Sequence, residues 1–338
     1  MLMRHLMTKN KVWRSEMSMH PNETVKRSYA PIVVIGFNRP DHFLKTITAL
    51  AQNIGATDSD VYCYIDGARD ADDAISQKAI TTIVNEHRKY FQNVSIIQRE
   101  VNFGLAKNIV QAVTEVVSKH GKVIVIEDDI VTSNVFLKFM NDALDYYENE
   151  KRVWHIAAHS EVNLAQRKDE IFLWRVMNCW GWATWQDRWQ YFEKDADMLI
   201  NEFTEQMVQE FDLNGSGLFW SQVVANAHNK INTWAIFWYA TIFRNGGLCV
   251  NPYFSYAANI GFDGSGVHCG ADERRMDKQP LNHDGKFIGK TEIVEDLEAL
   301  NIMRKAYKRK KGIRYYMLQF VTVFVSKQTL KRLLKKFK

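Results

Sequence analysis

The chain has 338 residues, 46% hydrophobic and 12% aromatic, which is enough for one large core or two moderate ones and excludes wholesale disorder. Its net charge of +5 is unevenly placed: 13 Lys or Arg and no Asp or Glu lie between Arg304 and Lys338, leaving 31 basic against 39 acidic side chains elsewhere. An acidic body without a basic stripe argues against nucleic acid, four cysteines (Cys63, Cys179, Cys249, Cys269) without a CxxC pair argue against zinc or a disulfide framework, and no run nears the ~18 apolar residues of a spanning helix. With no cleavable signal peptide recognised at the start, the thiols are expected to be free and the protein cytoplasmic.

Residues 1–28 hold five methionines and no periodicity, and read as a flexible N-terminal arm. "PIVVIGF" (31–37) is a β-branched run, and "NRPDHFLKTITALAQN" after it repeats its apolar positions at helical spacing through Phe43, Ile47, Leu50 and Ala51. The alternation continues. "DVYCYIDGARD" reads as a strand, "DAISQKAITTIVNEHRKYF" as a helix, "NVSIIQRE" as a strand, "GLAKNIVQAVTEVVSKHG" as a helix capped by Gly121, and "KVIVIEDD" as another strand. Such spacing predicts right-handed βαβ units and an α/β fold with a mostly parallel sheet flanked by helices.

In open α/β sheets ligands bind beyond the carboxyl ends of the strands. Here those ends carry Asn38-Arg39, Asp66-Gly67 and Glu127-Asp128-Asp129. Neither a GxxxxGK[ST] run nor a GxGxxG after the first strand is present. Three consecutive carboxylates leaving a buried strand need a partner, a proton or a cation. Hard divalent cations such as Mg²⁺ and Mn²⁺ take carboxylate oxygens and often bridge to phosphates, so a diphosphate beside one or two of these acids is the chemistry that fits. A helix cap is the alternative, with Thr132 to Asn134 placed to start the next helix. Asp66 is then free for a base or ribose, and Arg39 for the nucleotide, against the plainer readings of a turn cap and a surface ion pair.

"VIVIEDDIV" followed by the aromatic-rich "SNVFLKFMNDALDYY", with "VIGFNRP" and "YIDGARD" upstream, resembles the N-acetylglucosaminyltransferase I-like family of GT-A glycosyltransferases and its bacterial sugar-transferase relatives, over about Pro31 to Gly270. The resemblance implies a Rossmann-like GT-A fold and a variant DxD motif. In it Asp129 binds Mn²⁺ or Mg²⁺, Glu127 and Asp128 contact the donor, Asp66 recognises the base, and Arg39, beside Asn38, serves the nucleotide. It divides the chain into the arm 1–28, a nucleotide-sugar-binding half 29–150, an acceptor-binding and catalytic half 151–300, and a basic amphipathic tail 301–338.

The second half is rich in tryptophan: Trp174, Trp180, Trp182, Trp185, Trp189, Trp220, Trp234 and Trp238. Aromatic faces stack on sugars but also fill cores. Trp180, Gly181 and Trp182 match the family's glycine-tryptophan segment beside the transferred sugar, so Trp182 is expected at the donor and Trp180 and Trp234 at the acceptor. "NIGFDGSGVHCG" (259–270) reads as a loop that closes over ligand. By the resemblance His268 reaches phosphate or metal, while Cys269 beside it has no role. The family's tryptophan-flanked aspartate is missing, since "NTWAIFW" offers only Asn232; Glu161 and Asp263, then His159, are the candidates for the base.

The expectation is a metal-dependent hexosyl- or N-acetylhexosaminyl-transferase, inverting. It moves a sugar from a nucleotide diphosphate, expected to be UDP, to a glycan or lipid-linked glycan in cell-surface polysaccharide synthesis. The basic tail suits an anionic membrane surface, placing the protein on the inner face of the cell membrane. A non-catalytic nucleotide-sugar-binding or scaffold protein, and a sugar nucleotidyltransferase, are the alternatives.

Overall fold

Strand and helix alternate from Ile32 onward in the computed structural model, which describes residues 29–161, 164–263 and 280–310. The first half runs β1 (Ile32–Gly36), α1 (Pro40–Ala51), β2 (Asp60–Ile65), α2 (Ala71–His87), β3 (Asn93–Gln98), α3 (Leu105–His120), β4 (Lys122–Glu127), β5 (Ile130–Thr132) and α4 (Phe136–Tyr147). Local signals mark the helix ends, of which Gly121 was read in the sequence. Pro40 opens α1 where its missing N–H costs nothing, Asp70 caps α2 by accepting from the Asp73 amide, and Gly121 ends α3.

The second half gave no such periodicity, and its elements are shorter: β6 (Val153–Ala157), β7 (Ile171–Trp174), β8 (Trp182–Trp185), α5 (Gln186–Trp189), α6 (Ala196–Glu202), α7 (Glu205–Phe211), α8 (Trp220–Ala227), α9 (Ala235–Arg244), β9 (Leu248–Pro252), β10 (Ala257–Asn259) and α10 (Leu297–Lys310). The two halves share one eight-stranded sheet in the order β3-β2-β1-β4-β8-β6-β9-β7. β3, β2, β1 and β4 are mutually parallel, β8 runs antiparallel to both β4 and β6, β9 is parallel to β6, and β7 is antiparallel to β9. The fold is therefore α/β with a mostly parallel sheet flanked by helices.

Period-two alternation splits the strand side chains between two cores. Ile32, Val34, Cys63, Ile124 and Ile126 face α1, α2 and α4. Val33, Ile35, Tyr64, Val123 and Val125 face α3 and the aromatic helices that follow β8. One buried cation stitches the halves together: the Arg188 guanidinium, on a residue 2% exposed, donates to the carbonyls of Tyr147, Glu148, Glu150 and Val153. It thereby satisfies carbonyls that the end of α4 leaves open.

Strand direction also fixes one edge of the sheet. The carboxyl ends of β1, β2, β4, β6 and β9 and the amino end of the antiparallel β8 share it, so Asn38-Arg39, Asp66-Gly67, Glu127 to Asp129, Ala158 to Glu161 and Trp180-Gly181 meet there. No helix among the described residues is long and apolar enough to cross a membrane. The N-terminal arm and most of the basic tail lie outside the described residues.

Candidate active site

The acidic triplet does not cap a helix. Glu127 closes β4, Asp128 and Asp129 form the turn, and β5 follows; α4 begins only at Phe136, with no side-chain cap. The turn is held by its backbone, for the Asp128 carbonyl accepts from Thr46 Oγ1 at 2.7 Å and the Asp129 carbonyl from the Ile260 amide at 2.8 Å. The second contact continues the antiparallel pairing of β5 with β10, in which Asn259 stands opposite Ile130. That small sheet brings 259–263 onto the acids.

Arg39, from the β1–α1 loop, lies across both aspartates. Its Nη2 donates to Asp128 Oδ1 and, at 2.9 Å, to Asp129 Oδ2, while Nε reaches Asp128 Oδ2 at 3.3 Å. Asp129 Oδ1 accepts from Asn259 Nδ2 at 3.3 Å. Gly261 closes the cluster from outside, where a Cβ would sit 2.3 Å from Asp129 Oδ2 and 3.2 Å from Arg39 Nη1, a position only glycine fits. Two groups keep unused capacity: Arg39 Nη1 is buried without a hydrogen-bond partner, and the Glu127 carboxylate makes no hydrogen bond or ion pair among the described residues.

Three carboxylates thus crowd one guanidinium, which bonds to two of them. Burial pushes Glu127 up to about 8, and Asp129 and Asp128 add to the rise. Burial raises Asp128 as well, against the pull of Arg39. Arg39 goes further up, because Asp128 and Asp129 outweigh the burial that opposes its charge. Asp128 is bonded twice to a permanent cation, whereas Glu127 has no such bond among the described residues. No cluster of three or more His, Cys, Asp or Glu side chains arranged to hold a metal occurs among the described residues. The donor set nevertheless fits a hard divalent cation that completes its shell with phosphate oxygens: the ligands are carboxylates, negative charge is in excess, and a buried N–H waits beside them.

The other expected residues divide. Asn38 turns toward α2, giving its amide to Asp73 Oδ1 at 2.7 Å. Asp66 is 4% exposed and accepts from the amides of Gly67, Phe103 and Gly104 at 2.8–2.9 Å, so its carboxylate ties the loop before α3 to the strand ends. Trp180 is half-buried at the site edge, its ring against His159 (centroids 4.4 Å apart) and Phe262 (5.6 Å). Gly181 beside it has φ +74, with Phe136 3.0 Å from a Cβ, which leaves no room for a side chain. His159 is buried with Nδ1 3.2 Å from the Ala257 carbonyl.

Trp182 and Trp234 differ from expectation. At 0% and 3% exposed they stack on each other in the core, with centroids 5.2 Å apart and His155 on the other face of Trp182. Their apolar area is spent on packing in this core. Asp263 is 3.1 Å from His42 Nε2, two residues beyond Gly261, and Glu161 is partly exposed where the chain leaves β6. His268 and Cys269 lie outside the described residues.

Asn259, Gly261 and His42 join the cluster without having been expected there; the glycine-rich "NIGFDG" was the one signal for Asn259 and Gly261, and His42 had none. A polar cavity of about 570 Å³ lined by Asp60, Tyr62, Arg88, Lys119 and His120 opens at the opposite edge, where β2 and β3 begin, away from the acids.

No protein-family model matches the chain, and no curated protein matches it in sequence. Among solved structures it is similar to a mannosyltransferase of Pyrobaculum calidifontis in complex with GDP-Man and Mn²⁺, at 9% identity and a TM-score of 0.40, over 65% of this chain and 70% of that one. It is also similar to residues 1–349 of S. aureus TarS, at 13% identity and a TM-score of 0.40, over 69% of this chain and 61%, less than two thirds, of that one. A third similarity is to the galactosyltransferase LgtC in complex with donor and acceptor sugar analogues, at 11% identity and a TM-score of 0.36, over 65% of this chain and 72% of that one.

Proposed function

We propose that the chain is a metal-dependent glycosyltransferase that uses a nucleotide diphosphate sugar, with Asp129 as the cation's protein ligand and Glu127 and Asp128 beside it. The observation that carries the reading is the cluster at the end of β4, where three carboxylates face one guanidinium and Arg39 Nη1 has no acceptor. A cation bound there supplies positive charge to a diphosphate leaving group. The chain's own groups do the rest. Arg39 offers its buried N–H to phosphate. Trp180 presents a half-buried aromatic face on which a sugar can stack.

Deprotonation of the acceptor hydroxyl falls to a carboxylate at this edge. Asp263 is favoured over Glu161, because the strand end that touches Asp129 also carries Asp263, and His42 orients it. Inversion at the anomeric carbon, a UDP donor and a glycan or lipid-linked acceptor complete the proposal. Composition supports one more part: the basic tail from Arg304 is assigned to an anionic membrane surface.

The test is thermal stability against UDP-, GDP-, CMP- and dTDP-sugars, each with and without Mn²⁺, for the native chain and Asp129→Ala. A ligand that binds only the folded state raises its melting temperature, by about 2.7 kcal/mol of stability at a hundred times Kd. Metal-dependent stabilisation by one donor, lost in the variant, is expected. No shift with any donor would remove the donor site.

A further inference from the structure

The position of Arg39 implies more than nucleotide contact. Its guanidinium bonds to both Asp128 and Asp129, taking Oδ2 of the aspartate proposed above as the cation's ligand. Two cations cannot share that oxygen without strong repulsion in a buried site. Gly261 packs against Asp129 Oδ2 and Arg39 Nη1, and a guanidinium that leaves two carboxylates in a buried site needs another acceptor. Its remaining donor, Nη1, is already buried and unpaired beside the cluster.

We infer that Arg39 is a displaceable counter-ion: it excludes a divalent cation from Asp128 and Asp129 until a diphosphate draws the guanidinium away, so that nucleotide and metal bind as a coupled pair. The inference rests on the donor-site reading above. A planar fork of N–H donors matches a phosphate as well as a carboxylate, so Arg39 exchanges one anionic partner for another without losing hydrogen bonds. The oxygens it vacates then accept the cation. Coupling of this kind is reciprocal: the factor by which UDP tightens Mn²⁺ is the factor by which Mn²⁺ tightens UDP.

The experiment is equilibrium Mn²⁺ binding, followed by the electron paramagnetic resonance signal of free Mn²⁺, for the full chain, Arg39→Gln and Arg39→Lys, each with and without UDP. Arg39→Gln should bind Mn²⁺ alone at least about tenfold tighter than the native chain, and the gain that UDP brings should shrink from roughly 5–150-fold toward none. Arg39→Lys retains the charge and should still exclude Mn²⁺, which separates exclusion from loss of structure. Equal or weaker Mn²⁺ binding by Arg39→Gln, with the native chain still binding Mn²⁺ and UDP, overturns the counter-ion role alone. Failure of the native chain to bind Mn²⁺ even with UDP overturns the donor-site reading and this inference together.

Discussion

The end of β4 and the tryptophan cluster between the sheet and α9 are both buried and both built from residues that carry chemistry, yet they are buried in opposite ways. Trp182 lies between His155 and Trp234, and Trp189 touches Trp182 and Trp238. Its contacts are ring on ring; His155 Nδ1 accepts from Trp238 Nε1 and Nε2 lies 3.0 Å from the Asn178 carbonyl, while the neutral Trp182 Nε1 is buried without a hydrogen-bond partner among the described residues. At the end of β4, by contrast, carboxylates crowd together with too little positive charge and with a donor left over. What separates the two is charge: the core leaves only a neutral N–H unmatched, whereas the site buries like charges together.

The sharpest way to break this comparison is Trp182→Ala. Loss of a fully buried tryptophan should cost about 3–5 kcal/mol, seen as a lower midpoint in urea unfolding, while the residual folded protein keeps its donor affinity. Unchanged stability with lost donor binding would return Trp182 to the site.

His155 gives a smaller, pH-dependent effect. Burial pushes it down to about 3, with the Asn178 carbonyl opposing, whereas the unfolded chain titrates near 6.5. The unfolded state therefore takes up a proton that the fold refuses. The stability due to neutral His155 is complete above about 6.5 and is lost as pH falls toward 3. Between those limits the stability of His155→Gln should fall less steeply with acid than that of the native chain; parallel curves would refute the assignment.

Trp180→Ala should have the smallest effect on the fold, below about 2 kcal/mol for a half-buried ring. It should slow sugar transfer more than slow hydrolysis of the donor. Equal loss of both would place Trp180 at the donor and leave the acceptor side without an aromatic platform.

What the sequence disclosed follows the same division. The strand-helix pattern to α4 and the acids at the end of β4 were legible, because β-branched runs, helical spacing and capping residues are local signals. The structural partners of Asp66, the amides of Phe103 and Gly104, were not legible, because they lie far along the chain and carry no side-chain signature. Trp182 and Trp234 looked like sugar contacts because composition does not say which side of a strand faces a core. Asn259 and Gly261 were read only as part of a loop. Their contact with Asp129 depends on the pairing of β10 with β5, which joins segments more than a hundred residues apart.

The place of β8 in the sheet has a consequence for how the chain is made. β8 stands between β4 and β6, although β6 and β7 precede it in the sequence. As the chain leaves the ribosome, β4 keeps an open edge, flanked by the charged turn, until Trp182 to Trp185 arrives to cover it and Arg188 follows to clasp the end of α4. Open strand edges invite pairing with other chains. The nascent N-terminal half is thus a vulnerable intermediate, and the aromatic segment of β8 protects it by finishing the sheet.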